Sequence, residues 1–484
     1  MSEKSLKEKT FSGLGWSSAD KIFQQVIVVI SGIILARLLT KDDFGLFGIL
    51  SIFVGISNVL LESGLVAAII RKKDITQSDY ITVFYFNISV AIFFYVVLFF
   101  CAPLIAHYYE KDTSFITLSR FLFLSFLFNS FGMIQNAKLY KDINYKFISK
   151  NNALSIFISY SVALSLAYFG YGVWALASQV VVHTFVRTCN YWIFTTWRPS
   201  GTFNKESFKE MFSFSSILTL GNILGSIVTN IPQNVLGKVY SLGTAGIYNN
   251  ANKNFNSVLE FLSGSILNIP YTVLSTITDE ERLKRVFRKF VRVKAFIIFP
   301  TFMGMILVAD SFINICLGTE WADAVPILQL LCVGGIFYSL DSSNGDLFKI
   351  KNKSNYYLIV TACQAIATFV VIGIIVTLKP HYLWFVSLIC TIQALRYFIS
   401  NVIANKMINY RFIELCKDLY PYFFVALGTT FCGYLLHLFI QNKLALMLCQ
   451  IPFVAATYIG ILYFSGSAIV KEVVDLVKKK TILK

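Results

Sequence analysis

The sequence predicts an all-α integral membrane protein of about fourteen transmembrane helices, in two six-helix bundles that form a parallel pseudo-repeat, plus two C-terminal helices. Three observations predict it. Apolar stretches long enough to span a bilayer, which needs roughly 20 apolar residues per helix, follow one another along all 484 residues. With 56% hydrophobic and 14% charged residues and a mean hydropathy of +0.66, the chain lacks the polar surface to solvate a globule of this size. The connections between stretches are rich and poor in Lys and Arg in strict turn.

The elements follow in order. The first span, 13–37, comes after the polar MSEKSLKEKT, is too long for a signal h-region and has no small-residue cleavage pattern, so it is expected to stay. It places Asp20 and Gln24 on one face and Lys21 and Gln25 on the next. Arg37, Asp42, Asp43 and Gly45 form a tight turn into the second span, 44–70, which holds Glu62. Spans 81–107 and 115–137 follow, the latter with Arg120 about one and a half turns from its outer end. After 150–169, the span 171–195 carries a helical stripe of His183, Arg187 and Asn190. Pro232 and Pro270 interrupt spans 211–234 and 246–272, as hinges or as packed kinks. The second of these is the least hydrophobic and sets Asn249, Lys253, Asn256 and Glu260 on one face. Spans 291–317, 323–347, 356–378 and 381–403 complete the second bundle, with Arg396 about two turns from the inner end of the last. Spans 420–440 and 443–467 close the chain.

About 31 Lys and Arg flank the spans on one side and about 6 on the other, which puts both termini in the cytoplasm and requires an even number of spans. The net charge of +16 lies in those flanks, where it orients helices and meets anionic lipid, so nucleic acid is not an expected partner. The nine cysteines are scattered singly and read as packing residues. The four histidines have no metal-ligand spacing, and no phosphate loop occurs. Neither a metal, a cofactor nor an enzymatic constellation is expected, and a transporter survives the elimination.

Internal repetition sharpens this reading. LARLLTKDDFGLF (35–47) and LGKVYSLGTAGIY (236–248) place Arg37 or Lys238 eight positions before Gly45 or Gly246, with Phe47 or Tyr248 two further on. The expected divisions are 1–210, 211–417 and 418–484, the last being two extra spans and a basic tail. Parallel repeats of this kind enclose a central site that opens alternately to each side.

These residues also carry a resemblance. ILARLLTKDDFGLFGIL (34–50), ESGLVAAIIRKKDIT (62–76), VFYFN (83–87), FGYGVWAL (169–176), TAGIYNNANK (244–253) and LGTEWADAVPILQLL (317–331) are similar to the polysaccharide-transporter branch of the multidrug/oligosaccharidyl-lipid/polysaccharide exporter superfamily. Within it they resemble bacterial Wzx-type O-antigen and capsule flippases, closest to the colanic-acid-exporter-like group. The resemblance implies a flippase in the bacterial cytoplasmic membrane, moving an undecaprenyl-diphosphate-linked oligosaccharide to the periplasmic leaflet. Its partners would be that lipid-linked oligosaccharide, membrane lipids and polysaccharide assembly proteins. A multidrug cation antiporter of the same fold and a membrane-embedded oligosaccharide polymerase are the alternatives.

A glycan diphosphate with about two negative charges is expensive to desolvate in hydrocarbon, so a polar, cationic lining is the feature to seek. Candidate substrate ligands are Asn249, Lys253, Asn256, Arg120, His183, Arg187, Asn190 and Arg396, since guanidinium forks suit phosphate. Each has a bland alternative: Lys253 pairs with Glu260 or snorkels, and Arg187 anchors at the interface. Asp20, Glu62 and Glu260 are candidates for H⁺ or Na⁺ coupling. Trp174 and Trp321 read as interfacial belt residues.

Overall fold

The structure is a computed structural model that describes residues 23–62, 69, 72, 74–142, 144–262, 274, 277, 279–351, 353–467 and 469–470, without the side chains of 61, 62, 210, 213–218 and 354. Fourteen α-helices run through the described residues. They are α1 (Phe23–Leu38), α2 (Lys41–Glu62), α3 (Gln77–Tyr108), α4 (Thr113–Lys141), α5 (Tyr145–Tyr168), α6 (Val173–Phe194), α7 (Lys205–Val239), α8 (Leu242–Leu262), α9 (Glu280–Phe312), α10 (Ala324–Ile350), α11 (Ser354–Leu378), α12 (Tyr382–Met407), α13 (Phe412–Leu435) and α14 (Lys443–Phe464). Nine of these, α2 to α4 and α9 to α14, are long and apolar enough to cross a membrane by length and hydropathy alone. α5 shows why others fall short. Asn151, Ser155 and Ser159 lower its hydropathy, yet all three are buried against neighbouring helices.

Polar side chains set the helix starts. Thr76 Oγ1 accepts the Asp79 N–H at 3.3 Å and Asp79 Oδ2 accepts the Thr76 N–H at 2.9 Å, a reciprocal cap on α3. Asn204 caps α7, Asp279 caps α9 and Asn442 caps α14 in the same sense, each oxygen accepting orphan N–H groups of the first turn. The Asp279 cap, with Glu280 and Glu281 in the first turn, starts α9 well before the expected 291. The basic segment expected as a flank is therefore helix.

Contacts divide the chain into two compact units, residues 1–250 and 251–484. In unit one α5 packs on α6, α4 on both α3 and α6, and α2 on α7. α7, expected at the head of the second bundle, packs on α2 and α3 in unit one; contacts and sequence repeats partition the chain differently. In unit two α10 packs on α12, and α9 is a hub that meets α10, α13 and α14. The two appended helices dock there: Tyr458 Oη donates to the Phe296 carbonyl at 3.0 Å, and the Phe299 and Phe423 rings meet at 5.4 Å.

Between membrane helices, lipid is as apolar as the protein, so close backbone approach and hydrogen bonds hold the packing. Gly132 lets α4 approach Thr188 and Tyr191 of α6, and Thr188 Oγ1 donates to the Phe128 carbonyl at 2.7 Å. The repeat motif gives the closest crossing. A Cβ on Gly45 would run into the Leu242 carbonyl, and one on Gly246 into the Lys41 carbonyl. Asn249 Nδ2 adds a bond to the Phe44 carbonyl at 2.9 Å. Lys238, the counterpart of Arg37, donates to the last α3 carbonyl, Tyr108, at 2.5 Å.

Two sequence expectations are corrected. Trp321 is not a belt residue: it is 2% exposed, folded inward by a turn whose Trp321 N–H bonds the Gly318 carbonyl at 3.0 Å, with Gly318 at φ 112°. Lys294, one of the basic residues counted on the cytoplasmic side at the start of the span 291–317, is 1% exposed because α9 turns it into the unit interior. Trp174 is half-buried against Phe121, and the large exposed side chains include Phe93, Phe100 and Phe424, as lipid-facing positions should.

Candidate functional site

Two of the polar clusters inside the helical units contain residues singled out from the sequence. In unit one an amide ladder crosses four helices. Asn129 Nδ2 of α4 donates to Asn58 Oδ1 of α2 at 3.0 Å, and Asn129 Oδ1 accepts from the Arg187 guanidinium of α6 at 2.6 Å. Asn151 of α5 donates to the Arg187 carbonyl at 3.1 Å and accepts from Asn190 Nδ2 at 2.9 Å. Separately, Tyr191 Oη of α6 donates to Asn136 Oδ1 of α4 at 2.8 Å. The expected stripe of His183, Arg187 and Asn190 is half-buried along one helix, and the structure brings Arg187 and Asn190 into one network. No carboxylate among the described residues pairs with Arg187, and its guanidinium is held by the neutral amide of Asn129.

Unit two holds a cluster of different character. Arg396 of α12 donates through Nε to Asp341 Oδ2 of α10 at 2.9 Å and through a terminal nitrogen to Gln364 of α11. Ser400 bonds Asp341, and Asn344 Nδ2 donates to Ser400 Oγ at 3.0 Å. One residue along, Lys294 Nζ donates to Ser342 Oγ at 2.8 Å, within electrostatic reach of Asp341 and Asp346. Two cations and two carboxylates thus share this interior, where an ion pair is the arrangement hydrocarbon tolerates.

The remaining candidates make other contacts. Arg120 of α4 is half-buried, donates to the Phe99 carbonyl at 3.3 Å and lies 3.9 Å from the Phe99 ring centre, a cation–π contact with α3. Asn249 is engaged with α2 as described. Lys253 and Asn256 of α8 are half-buried and Glu260 is exposed; Lys253 and Glu260 both have partners. Asp20 and the Glu62 side chain lie outside the described residues, as does Pro270.

Several members escaped the sequence reading. Asn58, Asn129 and Asn151 are neutral, and a search for intramembrane charge passes over amides. Asp341 had a readable signal: Ser339, Asp341, Ser342, Ser343 and Asn344 make a polar run inside an apolar span.

Among the described residues the chain is helical, with nine helices long and apolar enough to cross a membrane. It is similar to the solved "Lipid II flippase MurJ, inward closed conformation", with a TM-score of 0.76 at 15% identity over 95% of this chain and 99% of that one. It is also similar to an inward-facing multidrug resistance MATE family transporter of the MOP superfamily, with a TM-score of 0.62 at 15% identity over 80% of this chain and 94% of that one. The family model described as "Polysaccharide biosynthesis protein" matches residues 34–326, and the chain belongs to that family. Relatives include the "Lipopolysaccharide biosynthesis protein WzxC" of Escherichia coli, 26% identical over 72% of this chain and 71% of that protein. The "Teichuronic acid biosynthesis protein TuaB" of Bacillus subtilis is 24% identical over 72% of this chain and 73% of that protein. The resemblance drawn from the sequence motifs holds.

Proposed function

We propose that this chain moves a lipid-linked oligosaccharide, an O-antigen, capsule or exopolysaccharide repeat unit on undecaprenyl diphosphate, from the cytoplasmic to the outer leaflet of the bacterial cytoplasmic membrane. Both termini lie in the cytoplasm in this reading, as the Lys and Arg bias requires. The names of its relatives support it, and one observation carries it. Arg187 is a cation inside the membrane in this reading, held by the Asn129 amide and left uncancelled by any described carboxylate. A guanidinium so held keeps its charge for an anionic diphosphate and offers a fork matched to its oxygens. Lys253 and Arg120 remain candidate ligands in this reading, and the chain carries the substrate without chemical change.

Coupling to a H⁺ or Na⁺ gradient through Asp20, Glu62 or Glu260 is the second part of the proposal. The first part is tested by the leaflet distribution of the lipid-linked oligosaccharide in cells depleted of the chain, with a probe confined to the outer leaflet. Accumulation on the cytoplasmic side, reversed when the chain is restored, is expected; an unchanged distribution sinks the reading and points to drug efflux. Collapse of the H⁺ or Na⁺ gradient with ionophores, at constant protein, should slow transfer if coupling operates.

A further inference from the structure

α7 carries polar side chains along much of its length. Asn222, Ser226, Asn230 and Asn234 follow at steps of four residues, each about one turn above the last, over about 18 Å at 1.5 Å per residue. α2 meets them with small residues. A Cβ on Gly55 would lie 3.1 Å from Asn230 Nδ2 and 3.3 Å from Ser226 Oγ, and one on Gly48 would run into the Gln233 side chain. This antiparallel register sets Asn58 of α2 towards the Asn222 end, where Asn129 ties it to Arg187. At the other end Tyr109 Oη of α3 donates to Asn234 Oδ1 at 2.9 Å.

These groups are reachable and only partly used. Asn222 is exposed, and Asn58, Ser226, Asn230 and Asn234 are half-buried. Among the described residues the Asn222 amide has no hydrogen bond, Asn230 commits only Nδ2, to the Ser226 carbonyl at 2.8 Å and more weakly to its hydroxyl, and Asn58 commits only Oδ1. Hydrocarbon cannot satisfy accessible amides, so where α7 crosses the membrane this strip lines water.

Its charge selects what else it meets. Residues 211–237 on α7 and 44–60 on α2 include no Asp, Glu, Lys or Arg. A diphosphate would find no cation along the strip and a cationic drug no carboxylate. A sugar hydroxyl donates and accepts at once, as a carboxamide does, so a row of hydroxyls can pass from one amide to the next.

We propose that the strip between α2 and α7 is a glycan track, binding the uncharged hydroxyls of the oligosaccharide while Arg187, beyond its Asn58 end, takes the diphosphate. The inference rests on the flippase reading for the source of its ligand. The test uses the full chain purified in detergent and two probes: the oligosaccharide released by mild acid from the lipid-linked pool of depleted cells, and inorganic pyrophosphate. Thermal stability is followed against the concentration of each.

Wild-type protein should be stabilised by both probes. Asn222→Leu and Asn230→Leu remove no hydrogen bond between helices and should insert as wild type does. Each should need at least tenfold more oligosaccharide for the same gain, with the pyrophosphate response unchanged; Arg187→Ala should do the reverse. Asn222→Ala, at an exposed position, serves if the leucine variants do not insert. A wild type indifferent to the oligosaccharide, variants with the wild-type oligosaccharide response, or variants that lose both responses together overturn the track. Cells separate the two ideas: if wild type restores the leaflet distribution and both leucine variants do so equally well at equal protein level, only the track fails, whereas failure of wild type removes the flippase reading.

Discussion

Arg187 of α6 in unit one and Arg396 of α12 in unit two are the same residue type, each half-buried on a long helix, and they do opposite things. Arg187 is held by Asn129 and carries its charge undiminished; Arg396 faces Asp341 and forms a neutral clamp across α10, α11 and α12. The difference teaches that an intramembrane cation is a substrate candidate according to its partner rather than its depth. Hydrocarbon makes a paired charge a structural element and leaves an amide-held one available.

The largest effect expected is in unit two. Arg396→Ala leaves Asp341 buried without its cation, at about 3–5 kcal/mol, so folded yield and thermal midpoint in detergent should fall sharply. Arg396→Met with Asp341→Leu should recover most of that loss. A well-folded Arg396→Ala that has lost only export would break the comparison, because it would make Arg396 a ligand.

Arg187→Ala comes next. It leaves only a neutral amide without its partner, about 1–3 kcal/mol, so the protein should insert while the outer-leaflet probe reports at least a tenfold slower transfer. Arg187→Lys should keep part of the activity by retaining charge without the fork. Normal transfer in Arg187→Ala would move Arg187 to a purely structural role.

Asn129→Ala sharpens the same point at smaller scale. Interhelical hydrogen bonds in membranes average about 0.6 kcal/mol with a maximum near about 1.7, so stability should change little. Transfer should slow by less than in Arg187→Ala, because the cation remains but wanders. An Asn129→Ala as slow as Arg187→Ala would show that orientation, not charge, sets the rate.

Lys443→Ala is the control with the smallest effect. It breaks an exposed pair with Asp310 at 2.9 Å, the partners being 48% and 55% exposed, for about 0–1 kcal/mol and no change in transfer. A larger loss of stability would show that exposed pairs at helix ends matter as much as the buried clamp.

How legible these regions were in the sequence follows the same division. Nine of the helices were readable because they are long and apolar enough to cross a bilayer, and Arg187, Asn190 and Arg396 were readable as costly charges and amides on helical faces. Their partners were not, because which face of α4 meets α6, or of α10 meets α12, is decided by packing that no local pattern encodes. Lys294 shows the limit most plainly. Counting basic residues assigns it to a flank, and only the extension of α9 back to Glu280 turns it inward onto Ser342. Trp321 failed for a similar reason, since an aromatic residue beside a helix end looks interfacial until the glycine turn is seen to fold it in.

The reciprocal crossing of Gly45 and Gly246 has the logic of an isologous interface, in which one patch meets its own copy, yet both copies here belong to one chain. Each glycine lies against the carbonyl four residues ahead of the other, so a methyl group added on either side meets backbone rather than a side chain that could be exchanged. Such a contact admits no compensating substitution across it: both partners are already as small as residues can be. A single thirteen-residue pattern, written twice, therefore specifies a self-complementary joint that tolerates neither half being changed alone nor both being changed together.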